Sequence, residues 1–469
     1  MKDEERGPMK KRLKSIAPLL CIIPFILGCF GYRNAGETIS NSMYDAFVLY
    51  FVNPVSDELN IFIQIARWTA PLATASGIIY IVQRLWKNLS WRINCLSGDC
   101  VEVYSDADIE VNMGSDVKVR YMGKEFGGHA GSCVIMFESD VDSFGFYEDH
   151  KDKLENRKVY IGLNDIEYGL LRCEERDNVV LFDINGSIAR QLWKNIALWE
   201  RAYKEGKSEF TITIIGSGML AQNIMSSALL LNNFSTEQHI VYNFVSGSRN
   251  YENKHSGMNL WNKDEINFYA PGAPKVFDVL KQSDIVVIAD ELPVDELQTI
   301  CVNCATREIF YYSPKRDCLE KYLSFARLVP FGSDEDILTD ENIRRDALIS
   351  KAKELNDAYS RTYGGTSWKK LSGFLKWSNI SAADYKDVIV YLSQNEHYDE
   401  ERLAILEHIR WCRFYTLNYW KYGVTDKKGG KDPENRIHLC LVDYDSLDVI
   451  DKEKDRDNIR NDLKNISDI

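Results

Sequence analysis

The chain has 469 residues, 45% apolar and 27% charged, enough for roughly two or three domains with sizeable cores. A net charge of −13 and a pI near 5.2 set the body against phosphate backbones and exclude general nucleic-acid binding. Eleven cysteines follow no disulfide framework, the single CxxC (Cys301, Cys304) has no second pair, and seven histidines show no metal spacing, so reduced thiols in a cytoplasmic body are expected, with no metal.

Residues Ile16 to Tyr32 are apolar almost throughout, with Lys10, Lys11, Arg12 and Lys14 before them and Arg33 after. A basic stretch leading into an apolar run also fits a signal peptide. Against that, no small-x-small cleavage site closes the run, and a second apolar run follows from about Ala66 to Trp86, ending on Arg84, Lys87 and Arg92. Each run can span about 30 Å of hydrocarbon as a helix of about 20 residues. The connecting loop, Asn34 to Gln64, carries Glu37, Asp45, Asp57 and Glu58 but no lysine or arginine. The positive-inside rule then predicts an inner-membrane protein with both termini in the cytoplasm and the loop outside. Met43 to Asn53 predicts an interfacial or re-entrant half-helix. The following Val52-Asn53-Pro54-Val55-Ser56-Asp57 lacks the carbonyl run of a potassium filter. A plain anchor and an oligomeric pore both fit this segment.

Behind the membrane segment, short apolar runs alternate with polar helical stretches. Strands are predicted at Cys100–Tyr104, Val117–Tyr121, Cys133–Phe137, Lys158–Gly162 and Asn178–Phe182, and helices at Asp142–Glu155 and Ser187–Lys204. This order predicts α/β architecture with a parallel sheet. A second unit opens on the strand Phe210–Ile215, which runs into Gly216-Ser217-Gly218-Met219-Leu220-Ala221 and a helix, Gln222–Leu231. In this GxGxxA pattern Gly216 allows the tight turn, Gly218 lets backbone approach a pyrophosphate at the helix N-terminus, and Ala221 completes the spacing. The cofactor such a turn takes is an adenine nucleotide or NAD. The next strand, His239–Val245, ends without the acid that holds the ribose, which favours a purely structural glycine turn. Strands at Ile285–Ala289, Ile309–Tyr312 and Leu328–Pro330 complete the sheet. The first unit has Ser105-Asp106-Ala107-Asp108-Ile109 where a phosphate loop would stand, and its carboxylates would repel a pyrophosphate. A YxxxK, Tyr203 to Lys207, precedes the glycine strand, away from any nicotinamide.

An exposed hinge is predicted over Gly332–Asp340, followed by a helix from Glu341 to about Arg361. Leu403 to Trp411, continuing through Phe414 and Leu417 to Trp420-Lys421-Tyr422-Gly423, is helical in period and apolar on most of its circumference. It predicts a buried helix stopped by Gly423. Glu407 and Arg410, three apart, share a face and must be paired or meet a ligand.

The order of elements resembles a family of bacterial membrane proteins with two N-terminal helices, tandem TrkA-N (RCK-like) Rossmann units and a C-terminal RyR domain, the repeat of ryanodine receptors. Gln64-Ile65-Ala66-Arg67-Trp68-Thr69-Ala70-Pro71-Leu72 resembles the family's second helix, and Ala189-Arg190-Gln191-Leu192-Trp193 the end of its first Rossmann unit. The RyR motifs correspond to Trp377-Ser378-Asn379, Ala382-Ala383-Asp384-Tyr385, Leu406-Glu407-His408-Ile409-Arg410-Trp411, Tyr419-Trp420-Lys421-Tyr422-Gly423, His438 to Tyr444, and Lys454-Asp455-Arg456. Leu439 and Asp443 replace two prolines of the pattern, and Tyr419 replaces a glycine. The implied domains are a membrane segment (1–92), a degenerate Rossmann-like unit (93–205), a TrkA-N/RCK-like Rossmann unit (206–335) and a mainly helical RyR-like domain (336–469).

The resemblance implies a ligand-binding module with a site drawn from Ser378, Asn379, Asp384, Glu407, His408, Arg410, Trp411, Trp420, Tyr422, Asp455 and Arg456. The tryptophans and Tyr422 offer faces for a base or cation, the arginines suit phosphates, and Asn379 and Asp384 suit ribose or base edges. The plainer reading makes the tryptophans core and the charges an internal ion-pair network. The expected function is that of a non-enzymatic, membrane-anchored sensor or effector. A nucleotide-type ligand, the lipid bilayer and further copies of the chain are its expected partners, and the resemblance implies permeability change in antiviral signalling. A nucleotide-reading regulatory subunit of ion transport is the alternative, and an NAD-dependent oxidoreductase a further one.

Overall fold

The computed structural model describes residues 22–53, 60–107, 109–167, 170, 178–304, 308–315, 321 and 327–464. The chain divides into two units, the first ending at Ser97 and the second starting at Gly98.

In the first unit, residues 22–34 form helix α1. Helix α2 (Ile39–Val48) starts on the Thr38 hydroxyl, which accepts the Asn41 N–H, and runs into a 3-10 turn, Leu49–Phe51, that stops at Val52 with φ 62°. The stretch read as a half-helix is the end of α2 and this turn. Helix α3 covers Ile61–Ser97 and contains the whole second apolar run. Small residues bring these helices together: a Cβ on Gly28 would lie 2.9 Å from that of Ala46, and one on Gly31 would lie 2.7 Å from Ile63. Asn60 donates to the Gly31 carbonyl at 2.6 Å and accepts the N–H groups of Phe62 and Ile63, capping α3. Among the described residues α3 is the one helix long and apolar enough to cross a membrane. The first predicted span lies outside the described residues up to position 21, and α1 at 1.5 Å per residue reaches about 20 Å. A crossing pair of helices is therefore not established.

The second unit is mixed α/β. It opens with β1 (Cys100–Tyr104), β2 (Lys118–Tyr121), β3 (Ser132–Ile135), α4 (Asp140–Leu154), β4 (Lys158–Leu163), β5 (Val179–Asp183), α5 (Ile184–Ile196) and α6 (Leu198–Glu205). The expected single helix over Ser187–Lys204 breaks at Ala197, which takes φ 45°. The sheet is parallel throughout with order β2-β1-β3-β4-β5. Next come β6 (Glu209–Ile215), α7 (Met219–Leu231), β7 (His239–Val245), α8 (Asn250–His255), β8 (Glu265–Tyr269), α9 (Pro274–Gln282), β9 (Ile285–Ile288), α10 (Val294–Asn303), β10 (Glu308–Tyr312) and β11 (Arg327–Phe331). Their order, β11-β10-β9-β6-β7-β8, is also parallel and is that of a Rossmann-type doubly wound sheet. Helix α5 packs on α7, where buried Trp193 donates its indole N–H to the Ile224 carbonyl at 2.8 Å. One apolar core runs through both sheets into the helices that follow.

The predicted exposed hinge is instead part of that core. Helix α11 (Asp334–Ile337) forms there, and Ile337 and Leu338 are 3% exposed, because both insert apolar side chains under α5. Helices α12 (Asp340–Arg344) and α13 (Asp346–Tyr363) replace the expected single helix, parted by Arg345 at φ 53°. Helices α14 (Gly373–Asn395) and α15 (Glu400–Leu417), the short strands β12 (Lys421–Tyr422), β13 (Lys431–Asp432) and β14 (Ile437–His438), and α16 (Val449–Lys464) complete the chain. Helix α15 ends at Leu417, before the expected stop at Gly423. Tyr419, standing where the resembling family has glycine, takes φ 67°, and the Trp420 N–H turns back to the Tyr415 carbonyl at 3.0 Å.

Helix α15 is fixed to the second sheet by Arg413. Its guanidinium donates to the Leu260 and Leu229 carbonyls at 2.9 Å each and to Asp264 at 2.8 Å, with both side chains fully buried. Replacing Arg413 with Ala strands the Asp264 carboxylate in the core and is expected to cost about 3–5 kcal/mol. Adding Asp264→Ala should recover part of that. Denaturant unfolding of the two variants checks it, and a loss below about 1 kcal/mol would contradict the anchoring role.

Candidate functional site

A cavity of 460 Å³ opens between α13, α14, α15, the β13–β14 ribbon and α16. Helix α15 supplies its wall because Glu407, His408, Arg410, Trp411 and Tyr415 fall within little more than two turns on adjoining faces. The Glu407 carboxylate accepts two bonds from Arg410, each 2.7 Å, and Arg410 also donates to the Ser381 hydroxyl at 3.0 Å. One ring nitrogen of His408 faces Asp455 at 3.1 Å and the other faces the Val442 carbonyl at 2.8 Å. Two acceptors suit an imidazolium. Burial opposes the charge, but the Asp455 and Val442 bonds outweigh it and raise the His408 pKa above its usual value. The Trp411 ring stands 4.3 Å from Tyr415 and 5.0 Å from His438. Ser378 and Asn379 enter the cavity from α14, where Asn379 donates to the Leu375 carbonyl at 2.8 Å.

Four expected site residues lie elsewhere. Asp384 is buried toward α5, paired with Arg190 at 3.3 Å and Lys194 at 2.9 Å. Trp420 is core, stacked on Phe374 with centroids 5.2 Å apart. Tyr422 sits exposed on β12 and does not line the cavity. Arg456 is held on α16 by a forked pair with Glu401 (2.6 and 3.0 Å) and by Glu453.

Sequence reasoning missed Lys431 and His438 as cavity residues. Lys431 stands in a Lys- and Gly-rich stretch that reads as a solvated turn, yet its ammonium donates to the Tyr415 hydroxyl at 2.8 Å and lies 5.1 Å over the rings of Tyr415 and Trp420. Burial lowers its pKa to about 8. His438 falls to about 4 through burial and the nearby Lys431 charge. Leu439, in place of a family proline, donates its N–H to the Gly430 carbonyl at 2.8 Å, a bond proline cannot make.

The glycine turn is built otherwise. A Cβ on Gly216 would sit 2.9 Å from that of Ala221 and 3.0 Å from that of Ala289, so Gly216 and Ala221 secure close packing of β6, α7 and β9. Gly218 has more room, with the Asp290 carboxylate 3.9 Å away. Asp290, just past β9, accepts the Ser217 N–H at 2.8 Å, the kind of donor a phosphate would need. The first sheet repeats the device: Asp106, just past β1, accepts the Glu138 N–H at 2.9 Å. Asp108 lies outside the described residues. Tyr203 is exposed on α6, and Lys207 pairs with Asp284 before the starts of β6 and β9, the opposite end of the sheet from the turn. Burial pushes the Cys301 thiol up and that of Cys304 to about 12, away from thiolate chemistry. Among the described residues no cluster of metal-ligating side chains occurs.

No family model matches the chain, and no curated protein matches it. Among solved structures, shikimate dehydrogenase from Mycobacterium tuberculosis overlaps it at 11% identity and a TM-score of 0.29, over 61% of this chain and 99% of that one. L-tryptophan dehydrogenase from Nostoc punctiforme overlaps at 10% identity and a TM-score of 0.27, over 69% and 88%. Overlaps this weak carry no chemistry, and the Rossmann-type assignment rests on strand order.

Replacing Asp290 with Ala frees the Ser217 N–H. Calorimetric titration should show NAD binding about tenfold tighter than to the wild type, roughly the worth of removing one charge from the turn. Equal affinity would mean that the carboxylate does not shut it.

A pH dependence follows from two buried imidazoles. Burial holds His255 and His438 at about 4 against an ordinary 6.5. Between about pH 7 and pH 5 the unfolded chain therefore binds the extra protons, and stability falls by about 2 kcal/mol for each. His408 acts oppositely: the stabilisation from its protonated form is present below the ordinary imidazole value and is lost as pH rises past its raised pKa. Thermal melts of His255→Gln and His438→Gln should show a shallower acid decline, and an unaltered slope would refute the assignment.

Proposed function

We propose that this chain is a membrane-anchored, non-enzymatic sensor whose C-terminal, RyR-like cavity binds a small nucleotide-type ligand. Binding there alters the membrane unit, in assemblies of several copies, and changes permeability. A role in nucleotide-signalled antiviral defence accords with the family it resembles. The observation that carries the reading is the 460 Å³ cavity, which Trp411, Asn379, Ser378 and Lys431 line together. Its size suits a nucleoside derivative, and its lining combines aromatic rings with many polar groups. The filled glycine turn favours this cavity over the second sheet as the binding site. The membrane part rests on the exposed apolar surface of α3, on which Ile78, Ile79, Tyr80, Ile81, Val82, Leu85 and Trp86 are each more than half exposed.

The test uses the full chain in detergent micelles and in vesicles. A nucleoside, nucleotide or cyclic derivative at a hundredfold its Kd should add about 2.7 kcal/mol of stability. Trp411→Ala should cost about 1–3 kcal/mol of binding. The same compound should release an entrapped dye from vesicles carrying the protein. No shift from any such compound, or intact chain left in the supernatant of a detergent-free lysate after ultracentrifugation, would overturn the proposal.

A further inference from the structure

The charges in the cavity cancel in pairs, with one remainder. Glu407 neutralises Arg410, Asp455 faces His408 at 3.1 Å, and Asp451 holds Lys454 at 2.5 Å. Arg410 commits three of its five N–H groups to Glu407 and Ser381, and its charge is already met by the buried bidentate pair with Glu407. Lys431 differs. Among the described residues no carboxylate lies within ion-pair distance of it, and its hydrogen-bond partner is the neutral Tyr415 hydroxyl. Asp432, next on the strand, is engaged with Lys427 at 2.7 Å. Around the ammonium stand the rings of Tyr415 and Trp420 at 5.1 Å and of Phe374 at 5.9 Å. Ring faces compensate a desolvated cation only in part. The cavity therefore holds one positive charge without a counter-ion, and Trp411 lines the same cavity.

Resting on the cavity reading above, we propose that the ligand is a monoanion whose single negative charge, a phosphodiester or a carboxylate, seats on Lys431 while its aromatic part lies against Trp411. A nucleoside triphosphate brings several charges to one unpaired cation and is disfavoured; a neutral nucleoside leaves the cation uncompensated. Lys431 is then a specificity-determining residue. It also carries a cost to the empty protein, because a buried ammonium without a counter-ion is less stable there than an apolar chain of its length.

The experiment titrates the full chain in detergent with each common ribonucleoside, its cyclic monophosphate and its triphosphate, by thermal shift and calorimetry. For at least one base, the cyclic monophosphate should bind at least about tenfold tighter than the other two forms, the worth of one charge-assisted contact. Lys431→Met should erase that preference and melt higher than the wild type without ligand. Lys431→Arg should keep the preference. If the nucleoside binds as well as the monoanion, if the triphosphate binds tightest, or if Lys431→Met binds like the wild type, the monoanion proposal fails while the cavity reading stands. A lower ligand-free melting temperature for Lys431→Met would mark Lys431 as a structural tie to Tyr415 and also overturn it. A wild-type chain that binds none of the compounds fails both.

Discussion

The buried contact between Arg413 and Asp264 is the constraint on which the rest of the second unit depends. Asp264 sits at the entry to β8 and accepts from four directions: Gln238, the Ile240 N–H, Asn262 and Arg413. A carboxylate so far from water needs every one of those donors. Arg413 in turn spends its guanidinium on Asp264 and on carbonyls at the end of α7 and at Leu260. Two further ties reinforce it: Asn233 donates to the Leu406 carbonyl at 2.7 Å, and Tyr385 donates to the Asn233 carbonyl. The helix that walls the cavity is thus set in place by the edge of the second sheet. Any ligand that moves α15 works against this network.

The two sheets have the strand orders of nucleotide-binding folds, yet each has a carboxylate at its topological switch point. In the first, Asp106 lies between the ends of β1 and β3; in the second, Asp290 lies between the ends of β6 and β9. An anion arriving at either must displace a negative group already bonded to backbone N–H. The fold supplies packing surfaces, and the cavity proposed as the binding site lies in the small helical region instead. Fold class and binding chemistry are separable here.

Much of this was legible in the residues. The apolar-rich β1 and β6 and the continuous apolar run of β9 announce buried strands, and the spacing from Gly216 to Ala221 announces a close strand–helix turn. Glu407 and Arg410 announce a buried pair. The strand β8, Glu265–Tyr269, was silent because an edge strand is half-exposed and its polar residues break the apolar run. The end of α15 was misread because an aromatic residue, Tyr419, takes the left-handed conformation. What sustains it is tertiary: its hydroxyl donates to Glu167 at 2.7 Å and its ring stacks on His255 at 5.8 Å. Lys431 was invisible for the same kind of reason. A lysine beside two glycines has no local mark of burial, and only the rings of Tyr415, Trp420 and Phe374, brought from other elements, make its surroundings dry.

The first unit inverts the usual sorting of side chains by size. Its helix contacts are made by Gly28, Gly31, Ala46, Ala66 and Ala70, with Tyr32, Leu49 and Ile63 closing the seam. Many of its large apolar side chains point outward, Trp68 at 73% exposure and Leu72 at 67% among them. In water that arrangement forfeits the hydrophobic term, which rewards burying the large residues first. In hydrocarbon that term vanishes, because a lipid tail solvates leucine as well as another leucine does. Association then falls to close backbone approach through small residues and to hydrogen bonds such as Asn60 to the Gly31 carbonyl and Thr74 to the Tyr50 carbonyl. A bundle sorted this way gains little from an aqueous surround, and this sorting supports the membrane reading proposed above.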